Sequence, residues 1–163
     1  MIFLTVGTQF PFDRLVKSVD ELVSQNGFKE EIFAQIGKSS YQPHNFEGVS
    51  FLEKGLFDKH VRQASGIISH AGMGTIIMAL DNGKPLLVMP RLTKYGEVVN
   101  DHQVPIAKKF EELGHILAVY DAKDLPNGIC RLKTFSPRER IARPEAIVER
   151  IELFLGKLTT TSK

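Results

Sequence analysis

The chain has 163 residues, of which 42% are hydrophobic and 25% are charged. That length matches one globular domain and is too short for two domains of ordinary size. The 21 Lys and Arg residues against 19 Asp and Glu leave a formal charge of only +2, which excludes a chain that is basic throughout, as many nucleic-acid-binding domains are. Cys130 is the single cysteine, so an intrachain disulfide and a cysteine-based zinc cluster are excluded.

The first residues form a short apolar run that has no basic residues before it and stops at Gly7. This pattern indicates a first strand and does not match a secretory signal. No window approaches the ~18 consecutive apolar residues of a transmembrane helix. We therefore expect a cytoplasmic protein that reaches a membrane only if another protein recruits it.

Apolar runs alternate along the chain with segments whose apolar residues recur at helical spacing. The first such segment runs from Phe12 to Val23 and is ended by Asn26-Gly27, residues that tolerate a left-handed backbone. The predicted elements in chain order are strand 2–6, helix 12–23, strands 31–36 and 49–52, helix 56–64, strand 66–69, helix 75–81, strand 85–89, helix 101–113, strand 116–119 and helix 144–155.

The remaining segments are predicted to lack regular structure. Residues 91–99 are expected to form a charged loop, residues 121–143 to be irregular, and residues 157–163 to be a disordered tail. The predicted strands are almost continuously apolar, which is typical of a parallel sheet covered on both faces. We therefore predict one doubly wound α/β domain, residues 1–156, with a mostly parallel sheet between two layers of helices.

In such a sheet, ligands bind beyond the carboxyl ends of the strands. Glycine and polar residues concentrate in the loops that follow three of the predicted strands. These are Gly7-Thr8-Gln9, the HAGMGT segment from His70 to Thr75, and Arg91 together with Asn100-Asp101-His102-Gln103. The sequence therefore predicts one ligand site where these loops meet.

The HAGMGT segment places Gly72, Gly74 and a hydroxyl at the start of a helix. Glycine allows close approach of a ligand, and the free N–H groups of a helix start stabilise phosphate. A tight turn with Thr75 as the capping residue explains the same pattern. The segment is neither a dinucleotide-binding fingerprint nor a P-loop, since Lys84 falls at the end of the predicted helix.

The other candidate residues also have structural explanations. Asn100 and Gln103 have the spacing of a capping box. His70 is either a hydrogen-bonded histidine at a strand end or a general base, and Arg91 is either a surface charge or an anion ligand. Their convergence on one sheet edge favours the binding interpretation.

Four segments, MIFLTVGTQFPFDRLVK, ISHAGMGT, NGKPLLVMPR and YGEVVNDHQ, resemble the C-terminal, donor-binding domain of glycosyltransferase family 28. The resemblance covers roughly residues 1–120 and is strongest to the stand-alone form, such as the PssE-like subunits of exopolysaccharide and capsule synthesis. It implies the Rossmann-like half of a GT-B enzyme with a UDP-sugar site. A membrane-associated partner subunit would supply the other half and the acceptor site, and would recruit this chain to the inner face of the cell membrane.

The resemblance also implies roles for individual residues. Gly7, Thr8 and the Gly72-Met73-Gly74-Thr75 turn would face the diphosphate, and Gln103 would hydrogen-bond the donor sugar. Asn100 and His102 fall in the same substrate-binding set, Arg91 would contact a negative donor group, and His70 is the candidate catalytic base. Met78 stands where many members carry a ribose-binding Glu, so Asp81 is a candidate replacement.

The expected function is the donor-binding, catalytic subunit of a two-component, metal-independent, inverting hexosyltransferase. It would transfer a sugar from a UDP-sugar to a lipid-linked glycan in polysaccharide biosynthesis, without a cofactor. No D-x-D sequence for a chelated metal is present. The alternatives are a non-catalytic nucleotide- or phosphate-binding regulatory subunit and a small flavodoxin-like signalling domain.

One segment near the C-terminus is strongly basic. It holds five basic residues against the single acid Glu139: Arg131, Lys133, Arg138, Arg140 and Arg143. A solvated loop explains this pattern, and so does contact with anionic lipid or with the partner subunit.

Overall fold

The computed structural model describes residues 1–25, 28–140 and 144–160. Its strands are β1 (Ile2–Thr5), β2 (Ile32–Gln35), β3 (Glu47–Val49), β4 (Gly66–His70), β5 (Leu86–Met89) and β6 (Leu117–Ala118). They form one sheet in the order β3-β2-β1-β4-β5-β6, and every neighbouring pair is parallel. This is the strand order of a doubly wound fold, and it confirms the predicted architecture.

The helices connect successive strands or follow the last one. They are α1 (Asp13–Val23), α2 (Lys54–Gln63), α3 (Met73–Asp81), α4 (Gln103–Glu112), α5 (Leu125–Leu132) and α6 (Pro144–Thr160), with short 3₁₀ turns at Thr93–Tyr95 and Ala122–Asp124. Helices α1 and α5 pack on one face of the sheet. Helices α2, α3 and α4 pack on the other face.

Both faces of the sheet are buried, which explains the continuous apolar strands. Successive residues of a strand point to opposite faces, so Phe3 and Leu4 of β1 enter different apolar clusters. Leu87 and Val88 of β5 divide in the same way, and all four side chains are fully buried. A polar residue at any of these positions would lie in an apolar core.

The strand and helix boundaries differ from the predicted ones at several ends. β3 lies at residues 47–49, earlier than the predicted 49–52. α3 begins at Met73 with Gly72 as its N-cap, so the interpretation of Thr75 as the capping residue is wrong. α6 continues to Thr160, past the predicted end at residue 155.

The predicted capping box at the start of α4 is also wrong. The helix begins at Gln103, and His102 occupies the N-cap position without a side-chain capping bond. The Gln103 Oε1 atom accepts a hydrogen bond from the backbone N–H of Arg91 at 3.1 Å. Asn100 accepts one from the backbone N–H of His102 at 3.2 Å. Both side chains therefore have partners other than those of a capping box.

Helix α5 lies in the segment that was predicted to be irregular. Its buried residues Leu125, Ile129 and Leu132 follow helical spacing, but Pro126 and Gly128 between them suggest a loop. Pro126 lies in the first turn, where proline is tolerated. A Cβ atom at Gly128 would lie 2.9 Å from Val119 Cγ1, so glycine allows the helix to approach the sheet. Neither residue therefore interrupts the helix: the proline lies in its first turn, and the glycine allows close packing on the sheet.

The basic segment is partly neutralised by acids from elsewhere in the chain. Lys133 pairs with Glu30 at 3.0 Å, and Arg140 pairs with Asp81 at 3.1 Å. The Arg138 side chain packs over Gly114, where an added Cβ would lie 2.9 Å from Arg138 Cδ. Lipid or partner contact by this segment therefore stays a prediction.

Some predictions fall outside the described residues. These are the helix-ending Asn26-Gly27, the basic residue Arg143, and residues 161–163 of the expected tail. Among the helices that the structure describes, none combines the length and the apolar character needed to span a bilayer.

Candidate functional site

A cavity of about 440 Å³ opens at the carboxyl ends of β1 and β4. The strand order reverses between these two strands, and doubly wound folds bind ligands at that point. The cavity is lined by Val6, Gly7, Thr8, Gln9, Phe10, His70, Gly72, Met73, Gly74, Thr75, Arg91, Val98, His102, Gln103 and Ile106. A smaller cavity of about 310 Å³, between α1 and α5, is lined by none of the predicted site residues.

The structure therefore brings together the candidate base His70 and all but one of the residues predicted to bind the diphosphate and the donor sugar. The exception is Asn100, which lies outside the lining. Its Oδ1 atom is 2.5 Å from Nδ1 of His102, so Asn100 orients a residue that does line the cavity. Nothing in the sequence singles out the apolar part of the wall, because its residues have the types of ordinary core positions: Phe10, Val98 and Ile106.

The amino end of α3 faces the cavity. Gly72 is the N-cap in extended conformation, and the helix continues through Met73, Gly74 and Thr75. The first N–H groups of a helix have no partner within it, and the dipole places partial positive charge there. A Cβ atom at Gly74 would have no heavy atom within 4 Å, so the approach to this turn is open. The geometry suits a bound anion.

The imidazole of His70 fills the space between Gly7 and Gly72. A Cβ atom at Gly72 would lie 2.6 Å from Nδ1, and one at Gly7 would lie 2.9 Å from Nε2. Gly7 also has a φ of 73°, a conformation that favours glycine. The two glycines and the histidine therefore form one packing unit at the base of the cavity.

His70 is neutral near pH 7. Burial, with a smaller contribution from the charge of Arg91, lowers the pKa of His70 to about 3. Its Nδ1 atom is buried and has no hydrogen-bond partner among the described residues. A group with this pKa is a weak base at neutral pH.

Arg91 is buried beneath the cavity, with only 3% of its surface exposed. Its Nη2 atom donates to the carbonyls of Val6 at 2.6 Å and Phe10 at 2.7 Å, and its Nε atom donates to that of Pro11 at 3.3 Å. The alternative that Arg91 is an ordinary surface charge is therefore wrong. Its guanidinium holds the loop after β1, and direct contact with a negative donor group stays a prediction.

The charges beneath the cavity do not cancel. Burial lowers the pKa of Arg91 to about 10, against the opposing effect of Glu97, so the guanidinium stays protonated at neutral pH. Glu97 also pairs with Arg14 at 2.8 Å. Glu97 thus pairs with Arg14 and acts on Arg91 only through its charge, and these three residues carry one net positive charge that favours an anion nearby.

Neither Met78, at the position of the ribose-binding acid, nor its candidate replacement Asp81 lines this cavity. Met78 is packed against the core and does not line the cavity. Asp81 ends α3 and pairs with Arg140. At a rise of 1.5 Å per residue, it lies roughly 12 Å along the helix from Met73. Asp81 therefore does not contribute to this cavity, and its role as a replacement for the missing acid stays a prediction.

The packing of His70 predicts opposite effects of alanine at two neighbouring glycines. We expect Gly72→Ala to lower the free energy of unfolding by on the order of 2 kcal/mol, because the new methyl group overlaps the imidazole. Gly74→Ala is the matched control, and we expect it to be neutral or to stabilise α3 by about 0.5 kcal/mol. Urea denaturation measures both. Equal stabilities of the two variants would contradict this packing.

The burial of His70 predicts that its side chain stays uncharged between pH 8 and pH 5. Because the folded pKa is about 3 and the ordinary value is 6.5, the unfolded chain takes up a proton that the folded chain does not. The contribution of His70 to stability is therefore present above pH 6.5 and falls as the pH drops below it. Imidazole NMR spectra, assigned with His70→Asn, check this. A titration midpoint near 6.5 would refute it.

Comparisons of this chain with a family model and with known protein sequences agree with each other. The sequence model described as "Glycosyltransferase family 28 C-terminal domain" matches residues 1–152. The UDP-N-acetylglucosamine transferase subunit ALG13 of Homo sapiens is 31% identical over 125 residues, which are 71% of this chain and 10% of that protein. The ALG13 subunit of Eremothecium gossypii is 38% identical over 80 residues, 48% of this chain and 36% of that protein. The chain thus covers only 10% to 36% of the length of these relatives.

Solved structures show the same fold. The NMR solution structure of ALG13 aligns with a TM-score of 0.59 and 23% identity, over 92% of this chain and 93% of that chain. The crystal structure of Acinetobacter baumannii MurG aligns with a TM-score of 0.62 and 20% identity, over 82% of this chain and 42% of that chain. These neighbours confirm the Rossmann-like half of a GT-B fold, and with the family match over residues 1–152 they lead to one conclusion. The chain belongs to the glycosyltransferase family 28 C-terminal domain family.

Proposed function

We propose that this chain is the donor-binding, catalytic subunit of a two-component glycosyltransferase. It would transfer a hexosyl group from a UDP-sugar to a lipid-linked glycan. The observation that carries this proposal is the cavity at the β1/β4 switch point, which the amino end of α3 faces. The neutral His70 and the net positive charge of Arg14, Arg91 and Glu97 support it, since a diphosphate needs donors and compensating charge.

The proposed chemistry breaks the bond between the anomeric carbon of the sugar and the diphosphate. Negative charge grows on the departing UDP, and the α3 dipole and the buried arginine charge stabilise it. This arrangement provides charge compensation without a metal ion, which is the basis for proposing metal-independent transfer. Inversion follows from the family resemblance.

The acceptor hydroxyl must lose a proton during the transfer. His70 was the candidate base, but a pKa of about 3 makes it a poor proton acceptor at neutral pH. We propose that the neutral imidazole of His70 shapes the wall of the donor site, and that the general base belongs to the partner subunit.

A partner subunit is proposed because the similar proteins are named as subunits of a UDP-N-acetylglucosamine transferase. A membrane-associated partner would complete the GT-B enzyme at the cytoplasmic membrane face and bind the acceptor. UDP-N-acetylglucosamine is the first donor to test. The relatives' names lend no support to the expected role in capsule or exopolysaccharide synthesis.

One observation favours a second candidate, a non-catalytic nucleotide- or phosphate-binding regulatory subunit. Met78 stands at the position of the ribose-binding acid in the resembling family, and no carboxylate lines the cavity among the described residues. Sugar transfer by the chain with its partner separates the two candidates. The regulatory alternative predicts that the partner alone transfers sugar.

The proposed donor site predicts selective binding of uridine diphosphate compounds. At 100 times its Kd, UDP raises the free energy of unfolding by about 2.7 kcal/mol, which is roughly 5–10 °C in Tm. We expect UDP to bind at least about tenfold more tightly than uridine, because the α3 amino end acts on the diphosphate. Calorimetric titration measures this ratio. Equal affinities for UDP and uridine, or no binding of either, would contradict the proposed site.

A further inference from the structure

Arg14 and Glu97 form a two-point ion pair beside the cavity. Arg14 Nε lies 2.8 Å from Glu97 Oε1, and Nη2 lies 2.9 Å from Oε2. Nη2 also donates to the carbonyl of Pro90 at 3.0 Å, and the guanidinium lies over the Tyr95 ring at 4.6 Å. The fork of Arg14 thus contacts three points of the segment between β5 and α4.

The pair connects two of the loops that line the cavity. Arg14 lies in the first turn of α1, directly after the loop that carries Gly7 and Thr8. Glu97 lies in the loop that leads to His102 and Gln103, and its Oε2 atom accepts the backbone N–H of Leu92 at 2.9 Å. The ion pair therefore fixes the position of the loop before α4 relative to the start of α1.

The pair is also the most buried ion pair among the described residues. The side chains of Arg14 and Glu97 are 17% and 8% exposed, against 89% and 36% for the pair of Lys54 and Asp58. Exposed pairs contribute little to stability. Removing one member of a buried pair leaves an uncompensated charge, so the loop has a strong reason to move when the pair is broken.

We propose that Arg14 and Glu97 are positioning residues for the candidate donor site. They do not line the cavity. They hold residues 91–102 in the one arrangement that presents His102 and Gln103 to the ligand. The identity of that ligand as UDP rests on the proposed function, whereas the effect on the loop does not.

The test compares Glu97→Gln with the wild-type protein in two measurements. Hydrogen exchange of peptides covering residues 91–102 should accelerate at least about tenfold, because the loop opens more often, while β1 and β4 keep their protection. The Kd for UDP should rise about tenfold if the loop is correctly placed only about a tenth of the time, even though the loss of the Glu97 charge by itself favours a bound anion. In the reconstituted enzyme, KM should rise by the same factor with kcat nearly unchanged.

Two further variants separate positioning from general effects. Asp58→Asn makes the same carboxylate-to-amide change in the exposed pair and should match wild type in both measurements. Arg14→Lys keeps the charge but cannot reproduce the forked contacts, so it should give a Kd between those of wild type and Glu97→Gln. If Glu97→Gln loses the hydrogen-exchange protection of β1 and β4, its fold is disturbed, and Arg14→Lys then serves as the test variant.

Wild-type exchange rates and a wild-type Kd for UDP in Glu97→Gln would overturn the proposal. The same two wild-type results in Arg14→Lys would also overturn it. If the wild-type protein does not bind UDP, the proposed function fails instead. Hydrogen exchange then decides the positioning role: accelerated exchange confined to residues 91–102 supports it, and unchanged exchange overturns it.

Discussion

The buried Arg91 connects the segments that line the cavity through hydrogen bonds. It donates hydrogen bonds to three carbonyls of the segment after β1, and the backbone N–H of the same residue bonds to Gln103 at the start of α4. The end of β5 is thus joined to both neighbouring walls. A buried arginine needs several acceptors to offset the loss of water, and backbone carbonyls supply them here. The geometry of the loop after β1 therefore depends on this one side chain.

The second interaction is steric. His70 ends β4 and occupies the space that side chains at Gly7 and Gly72 would take. The histidine is therefore buried, and burial is the main reason that its pKa falls to about 3. Packing and charge state are linked in this residue: the same contacts that make it a weak base bury its Nδ1 atom without a hydrogen-bond partner among the described residues.

Much of the fold could be predicted from the sequence because each strand is buried on both faces and each early helix has one apolar stripe. Helix α5 could not, because Pro126 and Gly128 have the same residue types as a loop, and only contact with Val119 and Leu87 shows why the glycine is required. The starts of α3 and α4 were misplaced for a related reason. Thr75 and Asn100 are good capping residues, but backbone geometry assigns those positions to Gly72 and His102.

The candidate site was predictable in its location and less so in its details. The carboxyl ends of parallel strands share one edge, so Gly7, His70 and Gln103 had to lie near each other. Contacts between distant residues, such as Arg91 with Val6 or Arg14 with Glu97, leave no local pattern in the sequence. Helical spacing placed Asp81 on the same face as Met78, but it does not show which end of α3 faces the cavity.

We propose that the amino end of α3 and the loop after β1 bind the diphosphate of a UDP-sugar, and an NMR titration of the backbone amides with UDP-N-acetylglucosamine tests this most directly. We expect saturable shifts that are largest at Gly7, Thr8 and the Met73-Gly74-Thr75 turn. The largest shifts at Leu22 and Ile129, beside the smaller cavity, or no saturable shift at all, would contradict it.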